Sequence, residues 1–178
     1  IEKIEPFIGE KAPWGSLKEQ LMRENAENLS RLLIEGVEMV KDNLTKFLSK
    51  DWYVLRPMHN FLFTRDASMS VNNEVLIGRM ANSIRDRESV IMRSIFDFTP
   101  EFKTRTLTIP PVPGATKRIR TIEGGDVLIA RDDILLIGNG ARTSSQAIDI
   151  LIDEFICRRS EKAQHIIVQQ LPQTPESF

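Results

Sequence analysis

Four charged residues lie at the ends of predicted elements, where side chains can face a ligand. Asp66 ends the apolar run FLFT, and Glu123 lies just ahead of a strand-like run, beside two glycines that allow close approach of backbone to a ligand. Arg85 and Arg142 lie at or near helix starts. The helix dipole disfavours a cation there, so each arginine is expected to face an anion. Taken singly, such an aspartate is usually a turn residue, Gly-Gly a turn, and a surface arginine solvated.

Three segments that must position these residues have the three-and-four apolar spacing of helices. The first, residues 17–48, is long enough for two or three helices and has a predicted capping box that begins at Ser16. The second covers residues 80–98 and ends before a proline. The third covers residues 143–156, with Thr143 as its predicted cap. The chain is therefore expected to contain helices separated by strands.

The strand-like runs form a weak internal repeat. The letters LIG at 76–78 and again at 136–138 precede an arginine and a helix, 60 residues apart. A hairpin is predicted ahead of each helix: FLFT with VLIG, then VLIA with ILLIG across residues 131–133. The order strand, strand, helix, strand therefore repeats, and the proline-rich segment 106–120 is predicted to be an extended connection between the units.

Composition restricts the class of protein. The 178 residues are 41% apolar and 28% charged, which is typical of a soluble globular protein. No apolar run approaches the ~18 residues of a membrane span, and 24 basic residues nearly cancel 25 acidic ones, which argues against nucleic-acid or membrane binding. The single cysteine, Cys157, excludes an internal disulfide and favours the cytoplasm. The first residue, Ile1, and an apolar run close to the last residue predict a fragment.

Four motifs, PMHNFLFTRD, RDRES, IEGGD and NGARTS, occur in this order and resemble arginine deiminase, a family of guanidine-modifying hydrolases. The resemblance implies an α/β fold: part of the five-bladed α/β propeller called a pentein, built of strand-strand-helix-strand units. On this basis residues 1–15 are expected to be an extended segment and 16–50 an N-terminal helical insertion. Residues 51–178 are then expected to form about two propeller modules of an incomplete catalytic domain.

The resemblance also assigns residues to the two ends of a bound L-arginine. Asp66 resembles the aspartate that binds the substrate guanidinium through paired hydrogen bonds, and Phe63 the residue that packs on the aliphatic stem. Asn60, Arg85 and Arg142 resemble the three residues that hold the α-carboxylate. Arginine is a planar cation at one end and a carboxylate at the other, so acids at one end and Arg or Asn at the other fit it.

Two further acids complete the implied site. Glu123 resembles the glutamate that orients the catalytic histidine, and Asp126 the next acid of the pocket wall. The implied reaction is hydrolysis of L-arginine to L-citrulline and ammonia through a covalent cysteine intermediate, with no cofactor and no metal. The family's histidine and cysteine lie beyond the last residue of this chain, and Cys157 is expected to be structural, so the chain alone is expected to be inactive.

Two alternatives stay open beside hydrolysis. One is a noncatalytic arginine-binding relative. The other is an amidinotransferase of the same superfamily, which needs an amine acceptor in place of water. His59 and His165 are expected to be incidental to catalysis, and a homo-oligomer is left open.

Overall fold

The computed structural model describes residues 4, 14–48, 50–71, 73–115, 119–156 and 165–172. It divides into two compact units, Ile1–Leu62 and Phe63–Phe178. Within the described ranges, no helix has both the length and the apolar character needed to cross a bilayer. The two units are described in turn.

Short helices dominate the first unit. Its described elements are α1 (Trp14–Arg23), α2 (Ala26–Glu35), β1 (Val37–Glu38), α3 (Thr45–Leu48) and β2 (Tyr53–Leu55), with β1 antiparallel to β2. The predicted division of segment 17–48 into shorter helices is confirmed. The capping box at Ser16 is wrong, because α1 already begins at Trp14. The clear cap belongs to α2, where Asn25 Oδ1 accepts a hydrogen bond of 2.8 Å from the Asn28 amide.

The second unit contains two copies of a strand-strand-helix-strand module. The first copy follows a one-turn helix, α4 (Thr64–Ala67), and consists of β3 (Ser68–Val71), β4 (Glu74–Ile77), α5 (Asp86–Phe98) and β5 (Arg105–Thr108). The second consists of β6 (Val127–Arg131), β7 (Ile134–Asn139), α6 (Ser145–Ile150) with a π-helical continuation (Leu151–Ile156), and β8 (His165–Gln170). In each copy the second strand is central, antiparallel to the first and parallel to the third. The predicted repeat is confirmed.

The parallel strand pairs of the two sheets have the same register, whereas the antiparallel pair β6–β7 has an irregularity between Ile129 and Arg131 that β3–β4 lacks. Leu76 of β4 pairs with Leu107 of β5, and Leu136 of β7 pairs with Ile167 of β8. The helix between the second and third strands provides the crossover that a parallel pair requires. The core of this unit lies between the modules and includes fully buried side chains of the central strands and of the π-helical segment: Leu76, Ile137 and Leu151.

The first predicted hairpin is placed wrongly along the chain. FLFT is not a strand; it leads into α4, and the hairpin forms instead between β3 and β4, with Ser68 opposite Ile77. The apolar run misled the prediction because Leu62 and Phe63 are exposed and do not pack in the core. Asp66 therefore lies in a helical turn ahead of β3 and not at a strand end.

Two predicted helix starts also shift. The second helix begins at Asp86, after a 3-10 turn over Ser83–Arg85. The third begins at Ser145, and Ser144 caps it by accepting a hydrogen bond of 3.3 Å from the Ala147 amide. Thr143, the predicted cap, is instead fully buried. Segment 106–120 is partly strand, because β5 includes its first residues.

Candidate active site

Charged side chains from three parts of the second unit converge on the guanidinium of Arg85. Its Nη1 lies 3.0 Å from Asp66 Oδ2 and 3.5 Å from Glu123 Oε2. Its other edge forms a bidentate ion pair with Glu88, in which Nε lies 3.0 Å from Oε1 and Nη2 lies 2.8 Å from Oε2. The side chains of Arg85 and Asp66 are 10% and 16% exposed, and those of Glu88 and Glu123 are 3% exposed. Little water therefore screens these contacts.

Local structure explains why these groups meet. Asn82 Oδ1 accepts a hydrogen bond of 3.0 Å from the Ile84 amide and so starts the 3-10 turn that ends at Arg85. Glu88 follows in the first turn of α5, three residues on and hence on the same helical face. The two modules are joined next to this turn by a pair of hydrogen bonds between Arg79 and Ile122, both of 2.9 Å. That bridge places Glu123 opposite the turn.

Glu123 is held on both sides. The Ala81 amide donates to its Oε1 at 3.0 Å, and Arg142 Nη1 lies 3.5 Å from its Oε2. Its own amide donates to Thr143 Oγ1 at 3.2 Å, which is the role of this buried threonine. Burial raises the pKa of Glu123, and the Ala81 hydrogen bond and the charges of Arg142 and Arg85 oppose that rise.

The arginine at the centre is strongly held as a cation. The hydrogen bonds with Glu88 raise the pKa of Arg85 most, burial lowers it, and the hydrogen bond with Asp66 raises it further. In the sequence-based prediction, Arg85 and Asp66 lie at opposite ends of a substrate; in the structure they are in direct contact. The part of Arg85 in binding a carboxylate stays a prediction.

Asp126 adds another carboxylate beside this cluster. It ends a 3-10 turn over Gly124–Asp126 that begins directly after Glu123. Its Oδ2 is buried and, among the residues that the structure describes, has no hydrogen-bond partner. A buried acceptor without a donor is unfavourable, so this atom is suited to a ligand that carries N–H groups.

One glycine of IEGGD packs against the protein itself, and the predicted role of Gly125 in close approach to a ligand stays a prediction. Gly124 lies against the protein's own chain. A Cβ on Gly124 would be 1.9 Å from the main-chain oxygen of Arg65, and one on Gly78 would be 2.4 Å from the main-chain oxygen of Asp66. Both glycines are therefore required to bring the turn that carries Asp66 close to its neighbours.

The remaining candidate residues are more exposed than this cluster or belong to the first unit. Phe63 is exposed just ahead of α4, and the Arg142 side chain is 45% exposed. Asn60 and His59 lie in an exposed turn of the first unit, and His165 is an exposed residue at the start of β8. The predicted roles of Phe63, Arg142 and Asn60 stay predictions. Cys157 lies outside the described residues.

Sequence reasoning missed two residues of the cluster. The sequence analysis gave Glu88 no role of its own within the RDRES motif. Its position three residues after Arg85 on a helix would have indicated an ion pair. Thr143 was assigned to a helix cap, and no local pattern indicates its hydrogen bond with Glu123. Among the described residues there is no group of three or more His, Cys, Asp or Glu side chains that could hold a metal ion.

Two solved structures of ArgZ have a similar fold. ArgZ, an arginine dihydrolase from the ornithine-ammonia cycle in cyanobacteria, matches with a TM-score of 0.52 and 17% identity, over 76% of this chain and 20% of that chain. The N-terminal domain of ArgZ bound to its product matches with a TM-score of 0.50 and 18% identity, over 73% and 44%. At these identities the likeness shows the fold alone, the mixed α/β fold of the pentein proteins.

Sequence comparison is more specific. The family model for arginine deiminase matches residues 18–178, and the chain belongs to the arginine deiminase family. Arginine deiminase from Listeria monocytogenes is 28% identical over 165 residues, and the enzyme from Bacillus cereus is 32% identical over 164 residues. These alignments cover 89% and 88% of this chain but 39% of each relative, so the chain spans about two fifths of the curated relatives that it matches.

Proposed function

We propose that the whole protein to which this chain belongs hydrolyses L-arginine to L-citrulline and ammonia, and that residues 1–178 supply substrate-binding groups. The observation that carries this proposal is the acidic cluster around Arg85. Asp66, Glu88 and Glu123 already hold one guanidinium in it, by contacts of 2.8–3.5 Å. A site that accommodates a planar guanidinium among carboxylates has the chemistry that a free arginine side chain needs.

The guanidinium of the substrate is assigned to Asp66 and Asp126. Asp66 uses Oδ2 for Arg85, and its Oδ1 lies beside Gly125, where an added Cβ would be 3.1 Å away. Asp126 offers the buried Oδ2 described above. Two carboxylates on neighbouring turns can accept the paired N–H groups of one guanidinium.

The carboxylate of the substrate is assigned to Arg142, Arg85 and Asn60, and its aliphatic stem to Phe63. The two arginines differ in how exposed their side chains are. Arg85 has five N–H groups, of which the contacts with Glu88, Asp66 and Glu123 use four, so one is left. The Arg142 side chain is 45% exposed, against 10% for Arg85, and can reach a ligand from the surface. We therefore assign the larger share of carboxylate binding to Arg142.

The chemical step requires groups beyond those described. A cysteine thiolate forms a bond to the guanidinium carbon, ammonia leaves with a proton from a histidine, and water then breaks the carbon–sulfur bond to release citrulline. We assign the cysteine and the histidine to parts of the protein outside residues 1–178, with Glu123 orienting the histidine. No step requires a cofactor.

The larger architecture is proposed on the same basis. We assign residues 16–50 to a helical insertion and 51–178 to about two modules of a five-bladed propeller. The extended segment predicted for residues 1–15 lies mostly outside the described residues, and α1 already begins at Trp14. The repeat supports a further module: Leu107 of β5 is 4% exposed, whereas Ile167, its equivalent in β8, is 51% exposed together with its neighbour Val168 at 47%. A third module would cover the second as the second covers the first. We place the protein in the cytoplasm and leave a homo-oligomer open.

One experiment tests the activity. The intact protein is incubated with L-arginine, and citrulline and ammonia are quantified; hydrolysis predicts equal amounts of both. Formation of ornithine only when an amine acceptor is added would identify an amidinotransferase instead. Binding of arginine with no product under either condition would identify a noncatalytic relative. Either result contradicts the proposal.

A further inference from the structure

Arg65, the residue before Asp66, extends from the first module to the second. Its Nε donates a hydrogen bond of 3.1 Å to the main-chain oxygen of Gly124, and its Nη2 donates one of 2.7 Å to the main-chain oxygen of Val127. These acceptors are 59 and 62 residues away along the chain. They lie on either side of Asp126, so one guanidinium holds both ends of the turn that carries this acid.

The backbone of Arg65 makes contact with the same turn. A Cβ on Gly124 would be 1.9 Å from the main-chain oxygen of Arg65, which shows how closely the two segments approach. Gly125 faces the Asp66 side chain in the same way, with an added Cβ 3.1 Å from Oδ1. The helical turn of Asp66 and the 3-10 turn of Asp126 are therefore packed together, and the Arg65 side chain closes the contact.

We propose that Arg65 is a positioning residue that sets the separation between Asp66 and Asp126. It acts through the main chain of the Gly124–Asp126 turn and touches no substrate. The inference rests on the proposed function, in which these two acids share one substrate guanidinium. Both acceptors are carbonyl oxygens, so Arg65 fixes the course of the backbone.

The chemistry of the side chain explains why arginine is needed here. A guanidinium carries donors on separate nitrogens at fixed angles, and Nε and Nη2 use this geometry to reach two carbonyl groups three residues apart. Lysine has a single nitrogen on a flexible stem and can replace one of these contacts but not the planar fork. A displacement of about 1 Å in a catalytic group lowers the rate by about a hundredfold, so loss of the fork should be visible in catalysis.

The test uses the intact protein with Arg65→Lys and Arg65→Ala. The matched control is Arg131→Ala, which removes an exposed arginine that pairs with Asp133 in the β6–β7 hairpin. Citrulline formation is measured as kcat and KM, and the thermal midpoint is measured on the same preparations. We expect Arg131→Ala to match wild type. We expect kcat to fall about tenfold in Arg65→Lys and about a hundredfold in Arg65→Ala. KM should rise by a smaller factor than kcat falls, because the two acids that bind the substrate guanidinium are displaced but not removed.

Arg65→Lys keeps the positive charge and one contact, so it is the decisive variant if Arg65→Ala does not fold. A kcat of Arg65→Lys within twofold of wild type would overturn the proposal. A fall in thermal midpoint with kcat unchanged would also overturn it, since that pattern describes a residue with a structural role alone.

A second readout separates this inference from the proposed function. If the wild-type protein forms no citrulline, the proposed function fails, and the position of the turn is judged by amide hydrogen exchange over residues 123–127. We expect exchange there to be at least tenfold faster in Arg65→Lys than in Arg131→Ala. Equal exchange in the two variants would overturn the link between Arg65 and the turn, whatever the activity.

Discussion

Replacing Asp66 with asparagine removes one charge from the cluster and preserves its shape. The carboxylate lies 3.0 Å from Arg85 Nη1, and the two side chains are 16% and 10% exposed. Arg85 keeps Glu88 and Glu123 as partners, so the variant does not leave a buried cation uncompensated. The free energy of unfolding should therefore fall by the ~1.5–3 kcal/mol of a hydrogen bond to a charged group, and not by the ~3–5 kcal/mol of a broken isolated pair.

The effect of Asp66→Asn on catalysis should be larger. In the proposed site the substrate guanidinium depends on Asp66 and Asp126, and loss of one charge leaves that cation poorly compensated in a desolvated pocket. The loss is then in the range of ~3–5 kcal/mol. At about 1.4 kcal/mol per decade, kcat/KM should fall roughly a hundredfold to several-thousandfold. Steady-state citrulline formation and denaturant unfolding of the same intact protein measure both quantities.

Asp133→Asn is the matched control for this variant. Asp133 forms hydrogen bonds with Arg131 in an exposed hairpin, so its replacement should leave kcat/KM at the wild-type value and change the stability little. If Asp66→Asn keeps kcat/KM within threefold of wild type while unfolding more easily, Asp66 is a partner of Arg85 and not a substrate ligand. That result would refute the assignment of the guanidinium end.

Three other results are expected. Arg142→Ala in the intact protein should lower kcat/KM for L-arginine at least tenfold more than for agmatine, which lacks the carboxylate. Equal losses would show that Arg142 does not bind the substrate carboxylate. Because burial raises the pKa of Glu123, the folded protein holds its proton more tightly than the unfolded chain, and stability is lost as pH rises from about 4.5 through the folded pKa. The thermal midpoint of Glu123→Gln relative to wild type should thus be constant below pH 4.5 and increase above it; a constant difference would contradict the raised pKa. Residues 1–178 alone should form no citrulline, and turnover that survives Cys157→Ala would show that the chain contains its own nucleophile.

The repeated order of elements could be predicted from the sequence because its causes are local. The central strands β4 and β7 are buried between two neighbouring strands and appear as short apolar runs, and the β6–β7 hairpin is bounded by turn residues. The boundaries of the strands were predicted wrongly where an apolar residue does not enter the core. Phe63 is the example: its apolar side chain made FLFT resemble a strand, but that side chain is exposed.

The types of residue in the candidate site were also visible in the sequence, because the four motifs that contain them occur together and in order. The pairs that these residues form were not visible in the sequence. Asp66 meets Arg85 across 19 residues, and Arg65 reaches Gly124 across 59. Sequence periodicity describes neighbours three or four residues apart, as in the Arg85–Glu88 pair, whereas contacts across modules depend on how the two turns pack. Folding of the first module brought Arg85 onto Asp66, and packing of the second module against the first brought Gly124 close to the Arg65 backbone. The sequence could not show either contact, because each depends on how segments far apart along the chain pack together.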